Sequence, residues 1–227
     1  MAEFIASPCA ASDAAAMADI YMRAFGPNPI EHAMFPPTSC PAATLREWLI
    51  RRFTTALTTQ REMHLVKLTD AATGGMVAFA RWTVPHTLTP EEKAARAQKQ
   101  ADDDADDSGG FPSGANVEAC RAFFGALRAM EDKYVVDDDM YVMHLLATHP
   151  DYQRRGLART LLAKFLACAD AEGRRAYIEA TPAGHALYAS LGWRDVDEIV
   201  VDVTKWGGAE PYVNWVMVRE PQKKDAV

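Results

Sequence analysis

Residues 153–158 read Gln153, Arg154, Arg155, Gly156, Leu157 and Ala158, directly after the apolar run MHLLAT and its exit HPDY. Glycine and alanine at alternate positions leave backbone N–H groups open to close approach by a ligand. At a helix start those N–H groups lack intrahelical partners and sit at the positive end of the helix dipole, which suits a pyrophosphate. Arg154, Arg155 and Arg159 add positive charge. No GKS or GKT follows, and GxGxxG is absent, so this is neither a P-loop nor a dinucleotide fingerprint.

Other residues able to do chemistry are scattered. His144 lies inside the preceding strand, and a histidine, with an ordinary pKa of about 6.5, suits proton removal near neutral pH. Its alternative role is that of a structural polar residue. His149 precedes Pro150 in a turn and reads as a surface residue, while His32 and His64 stand apart from the motif. Cys9, Cys40, Cys120 and Cys168 show no CxxC or CxxH spacing, which argues against a metal site or a disulfide framework. Phe25, Phe35, Trp82, Phe111 and Trp215 are aromatics able to line an acceptor pocket, or simply core.

The elements that position these residues follow from periodicity. Residues 3–8 form a short strand, and Ser12 and Asp13 are placed to cap a helix carrying Met17, Ile20, Tyr21, Ala24 and Phe25. Four prolines in 26–37 interrupt regular structure. A helix over 42–57 and a hairpin of strands 63–70 and 76–84 come next. In 89–115 a short polar helix leads into ADDDADDSGGFPSG, expected to be a mobile acidic loop with little to bury. A helix through Ala119, Phe123, Leu127 and Met130 follows, then Asp137–Asp139 as a solvated turn. The chain closes with strand 140–148, helix 155–172, strand 175–181, helix 183–191 and strands 194–204 and 212–219.

Composition sets limits. The chain has 227 residues, 49% hydrophobic and 24% charged, enough for one domain with a substantial core. Net charge is −7, of which Asp102, Asp103, Asp104, Asp106 and Asp107 supply −5. That balance argues against a nucleic-acid partner. No apolar stretch reaches the roughly 20 residues that span a membrane. The N-terminus lacks a signal-peptide pattern. A cytoplasmic protein, monomeric or homodimeric, is expected.

The run from Tyr141 to Trp193 resembles the GNAT superfamily of acetyl-CoA-dependent N-acetyltransferases. The family's (Q/R)xxGx(G/A) motif stands here as QRRGLA, and its later helix as TPAGHALYASLGW. Thr181 replaces the usual Asn, Gly184 the usual Ala and Trp193 the usual Phe. The resemblance implies an α/β (α+β) fold: a mixed, mostly antiparallel sheet flanked by helices, with strands 140–148 and 175–181 splayed around the cofactor. It implies one N-acetyltransferase domain over 1–227, with an acetyl-CoA-binding core at 140–193 and an insertion at 89–115.

By the same resemblance, acetyl-CoA is the co-substrate and no metal takes part. Pantetheine would pair with backbone at Leu146, Ala147 and Thr148, and pyrophosphate would sit on the amides from Gln153 to Arg159. Thr181 would stand beside the cofactor, the Leu146 N–H would serve as oxyanion donor, and Tyr188 would protonate the departing thiolate. His144 is the candidate base. The acceptor is read as a primary amine of a small molecule, and the acidic balance suits a cationic one. A lysine or N-terminal protein acetyltransferase, or a non-catalytic acyl-CoA-binding protein, are the alternatives.

Overall fold

Runs of apolar and β-branched residues separated by turn residues build seven strands in a single sheet. A computed structural model describes residues 3–106, 108–135 and 139–222. The strands are β1 (Phe4–Pro8), β2 (Met63–Asp70), β3 (Met76–Thr83), β4 (Met140–Thr148), β5 (Arg175–Ala180), β6 (Arg194–Val201) and β7 (Tyr212–Arg219). Their spatial order is β1-β2-β3-β4-β5-β7-β6. Every neighbouring pair is antiparallel except β4 and β5. The helix between those two makes the parallel crossover possible.

Helices cover both faces. On one lie α1 (Ala14–Phe25), α3 (Ala42–Thr59) and α5 (Val117–Tyr134). Met17, Ile20, Leu49 and Phe53 pack there on Phe79, Val142 and Tyr177 of the sheet. On the other, α6 (Leu157–Ala171) presents Leu161, Leu162 and Phe165 to Ala80, Tyr141 and Met143. The apolar positions of α6 recur at helical spacing, so one stripe is buried and the rest of its surface stays wet. The short α7 (Pro182–Ala189) lies beside β5 and β7. Arg219, 3% exposed, joins β7 to α6 by an ion pair with Asp170 at 2.6 Å.

Three expectations need correction. The proline-rich segment is not wholly irregular: Pro29–Met34 form α2, because Asn28 caps Ile30 N–H and Pro29 has the φ of a first helical turn. Ser12 does not cap α1. A 3₁₀ turn spans Ala11–Asp13, and Asp13 accepts from Ala10 N–H at 2.7 Å and pairs with Lys67.

The third concerns residues 89–115. Thr89 and Glu92 exchange side-chain-to-backbone bonds around Pro90, starting α4 (Pro90–Ala105), which carries helix into the acidic run. The chain then docks rather than floating free. Trp48 Nε1 donates to Gly110 O at 2.8 Å, and the Phe111 ring stacks on Phe124 at 5.7 Å. Gly114, at φ +83, lies where a Cβ would stand 1.8 Å from the Ser39 carbonyl oxygen. Composition hid this because one aromatic ring anchors a polar stretch. Phe111→Ala is therefore expected to cost about 2 kcal/mol, below the range for fully buried phenylalanine because the ring is only partly covered, as read by urea denaturation. Asp107, Asp137 and Asp138 lie outside the described residues; Asp139 pairs with Arg174 and Arg175.

Candidate active site

A single extra residue in β4 opens the sheet. Arg81 lies opposite Leu145 and Trp82 opposite Met143, so His144 has no partner on β3. Such a bulge bends its strand and re-aims side chains. Before it, Tyr141 and Met143 face α6; after it, Leu146 does. β4 and β5 pair only as far as Met143 and Ile178, although β4 continues to Thr148 against β3. Beyond Met143, the edge of Leu146, Ala147 and Thr148 toward β5 has no strand partner.

The turn after β4 completes this cleft. Gln153 Nε2 donates to Thr148 O at 3.3 Å, tying the turn to the strand end. Arg154 takes φ +62 and Gly156 φ +82, two left-handed residues separated by one. Alternating conformations of this kind turn successive N–H groups to one side, which makes a concavity for an anion. A Cβ on Gly156 would meet nothing within 4 Å, so the space before the start of α6 is open. Arg155 is held over Tyr152 and bonded to Asp151 O, and Arg159 Nη2 donates to Ser190 Oγ at 3.0 Å. Leu157 is buried in the core while Ala158 is half-buried.

Across the cleft, Thr181 precedes α7 and Tyr188 is buried on it, edge-on to Trp193 at 5.6 Å. Burial pushes the Tyr188 phenol well above its ordinary pKa, so it stays protonated at neutral pH. Its hydroxyl has no hydrogen-bond partner among the described residues.

The cleft runs into a cavity of about 570 Å³. Leu146, Thr181 and Tyr188 line one part of it, and Phe25, Trp48, Phe111, Phe123 and Phe124 another. Phe25 and Phe111 are thus pocket residues. Phe35 is core, Trp82 packs on Phe165 across the sheet, and Trp215 lies against His185. His144 stands in the cavity wall, its Nδ1 3.3 Å from Glu131 and its Nε2 3.1 Å from Thr83 Oγ1. Neither His149, which caps the turn at Asp151, nor His64, stacked on Trp82, lines it.

Three carboxyl groups in this wall have different environments. Burial opposes charge on Glu131, but the hydrogen bond and charge of His144, with Arg81 and Arg128, hold its pKa below the ordinary value. Burial raises Glu31 to about 7, against the hydrogen bond it accepts from Tyr21 at 2.6 Å. Burial and then the charge of Glu131 raise Glu179 to about 8; Tyr177 donates to it at 2.8 Å.

The cleft thus presents a strand edge unpaired with β5, then an open turn at the start of α6. Residues 117–195 match the family model for the acetyltransferase (GNAT) domain. The protein carries a GNAT acetyltransferase domain. GNAT acetyltransferases use acetyl-CoA as their co-substrate.

Solved structures of this fold match nearly the whole chain at low identity. A polyamine N-acetyltransferase from Drosophila melanogaster is 15% identical with a TM-score of 0.63, covering 96% of this chain and 100% of that one. A protein described as a histone acetyltransferase and related acetyltransferase from Corynebacterium glutamicum is 18% identical with a TM-score of 0.62, covering 100% of each. A PaiA N-acetyltransferase from Thermoplasma acidophilum, solved with coenzyme A, is 8% identical with a TM-score of 0.55, covering 96% and 99%. A search of curated proteins gives no match. Among the described residues no helix is long and apolar enough to cross a membrane, and no cluster of His, Cys, Asp and Glu is arranged to hold a metal.

Sequence reasoning missed Glu31, Arg81, Glu131 and Glu179. Arg81 and Glu179 each interrupt the interior of a mostly apolar strand, MVAFARWT and RAYIEA. A lone charge in a buried strand is a readable signal, since it must face a partner or a cavity. Glu31 sits among prolines, where no period exists to mark it.

Proposed function

We propose that the protein transfers an acetyl group from acetyl-CoA to the primary amine of a small molecule, by direct attack in a ternary complex. The observation that carries this reading is the joined cavity. The splayed strand edge and Tyr188 open into a recess walled by aromatic rings, with room for a small acceptor rather than a folded protein surface. Within this family, acetyl-CoA supplies an activated acyl carbon on a good leaving group.

The backbone of Leu146, Ala147 and Thr148 would bind pantetheine, and the amides from Gln153 to Arg159 the pyrophosphate, with Thr181 beside the chain. These contacts fix the acyl carbon relative to the amine. His144 would take the proton from the attacking nitrogen, steadied by Glu131 on its other ring nitrogen. The Leu146 N–H would donate to the carbonyl oxygen as charge gathers there. When the carbon–sulfur bond breaks, Tyr188 would return a proton to sulfur.

The test is thiol release from acetyl-CoA against polyamines, arylalkylamines, amino acids and lysine peptides. Turnover with a small amine supports the reading, whereas turnover with lysine peptides alone defeats it. His144→Ala should lower kcat and remove the acidic limb of the pH–rate profile. The sign follows from its role: a base works only when unprotonated, so the wild-type rate should fall toward acid pH. An unchanged profile would return His144 to a structural role.

A further inference from the structure

This inference rests on the acetyl-transfer reading of the cavity and concerns its acceptor. Four arginines, Arg52, Arg81, Arg121 and Arg128, line the cavity with Glu31, Glu131 and Glu179. Each carboxyl group already has a partner: Glu31 has Tyr21, Glu131 has His144 and Glu179 has Tyr177. Arg81 makes no hydrogen bond or close ion pair with a described residue: the charge of Glu131 favours its ionisation, but its Nε is buried without a hydrogen-bond partner and the side chain as a whole is half-buried. By contrast, the buried Arg219 is held by Asp170 at 2.6 Å.

Arg81 lies on β3 directly opposite Leu145, beside the bulge at His144. It shares a face with Phe79, and so projects among the rings of the acceptor recess rather than toward α6. Burial, and then the charge of Arg52, lower its pKa to about 10, which still leaves it cationic at neutral pH. A guanidinium in a cavity wall whose Nε is buried and unbonded has donors to give to a ligand, and its planar fork suits a carboxylate in bidentate contact. We propose that the acceptor is an amine that also carries a carboxylate and an aromatic-sized apolar group, an amino acid of that class, and that Arg81 binds the carboxylate.

Two matched pairs of probes test this. 3-Phenylpropanoate should raise the melting temperature where its uncharged amide does not, and Arg81→Met should abolish the difference. In turnover, phenylalanine should exceed phenethylamine at least tenfold in kcat/KM, and Arg81→Met should erase that preference by slowing phenylalanine alone. Arg81→Met should still show the wild-type rise in melting temperature with acetyl-CoA, which establishes that it is folded. Equal response to acid and amide, or preference for phenethylamine, would overturn the proposal. Failure of acetyl-CoA itself to raise the melting temperature would instead count against the acetyltransferase reading, and leave the acid–amide comparison standing on its own.

Discussion

Gly156→Glu is expected to abolish the rise in melting temperature that acetyl-CoA gives the wild-type protein. A ligand selective for the folded state adds about 2.7 kcal/mol at a hundred times its Kd, so the wild-type shift is easily measured. The substitution acts at the open cradle before α6, where a Cβ meets nothing within 4 Å and a longer side chain enters the space left for an anion. Its carboxylate would compete there with the pyrophosphate. The backbone at φ +82 adds strain of about 1 kcal/mol for any residue with a Cβ. Gly156→Ala separates the two effects: it should lose that stability and keep the acetyl-CoA shift. A folded Gly156→Glu protein that still responds fully to acetyl-CoA would remove the cradle from the cofactor site.

Tyr188→Phe should lower kcat by roughly 10–100-fold, about 1.4–2.7 kcal/mol on the scale where tenfold is about 1.4 kcal/mol. The lower end of general acid catalysis is expected because a thiolate, with a thiol pKa near 8.5, is already a fair leaving group. The buried phenol remains protonated throughout the working range, as a donor must. Acetyl-CoA affinity should scarcely change, since the contacts assigned to it are backbone amides elsewhere. Stability should not fall either, because the hydroxyl gives up no protein partner. Steady-state kinetics beside direct titration of acetyl-CoA separates the outcomes. Parallel losses in binding and kcat/KM would make Tyr188 a positioning residue, and wild-type turnover would make it core.

The elements assigned to the cofactor were legible because they are contiguous. A strand, a small-residue turn and a helix start are contiguous from Met140 to Ala171, and strand and helix periods mark them. The strand ends at 140–148 and 212–219 are those the periods predict. The acceptor half was not legible, because it is assembled from α1, α2, α3, α5, β3 and the ends of β5 and β7. Glu31, Arg81 and Glu131 are far apart in sequence, and no spacing relates them. Phe111 shows the complementary failure: its flanks read as solvated chain, while one ring and the Trp48 bond to Gly110 hold the segment on the core.

The bulge at His144 makes the site depend on residue count as well as on residue type. Most substitutions within β4 leave the offset between its two halves untouched. Loss of His144 would not: the ladder with β3 would regain continuous register, with Arg81 still opposite Leu145 and Trp82 still opposite Met143. Leu145 and Leu146 would keep their faces, but the strand edge assigned to the cofactor would lose the bend that the bulge gives it. Length in this nine-residue strand is therefore constrained more tightly than composition. Tolerated insertions and deletions belong in the helical excursion at 90–105, whose described side chains lie on the surface.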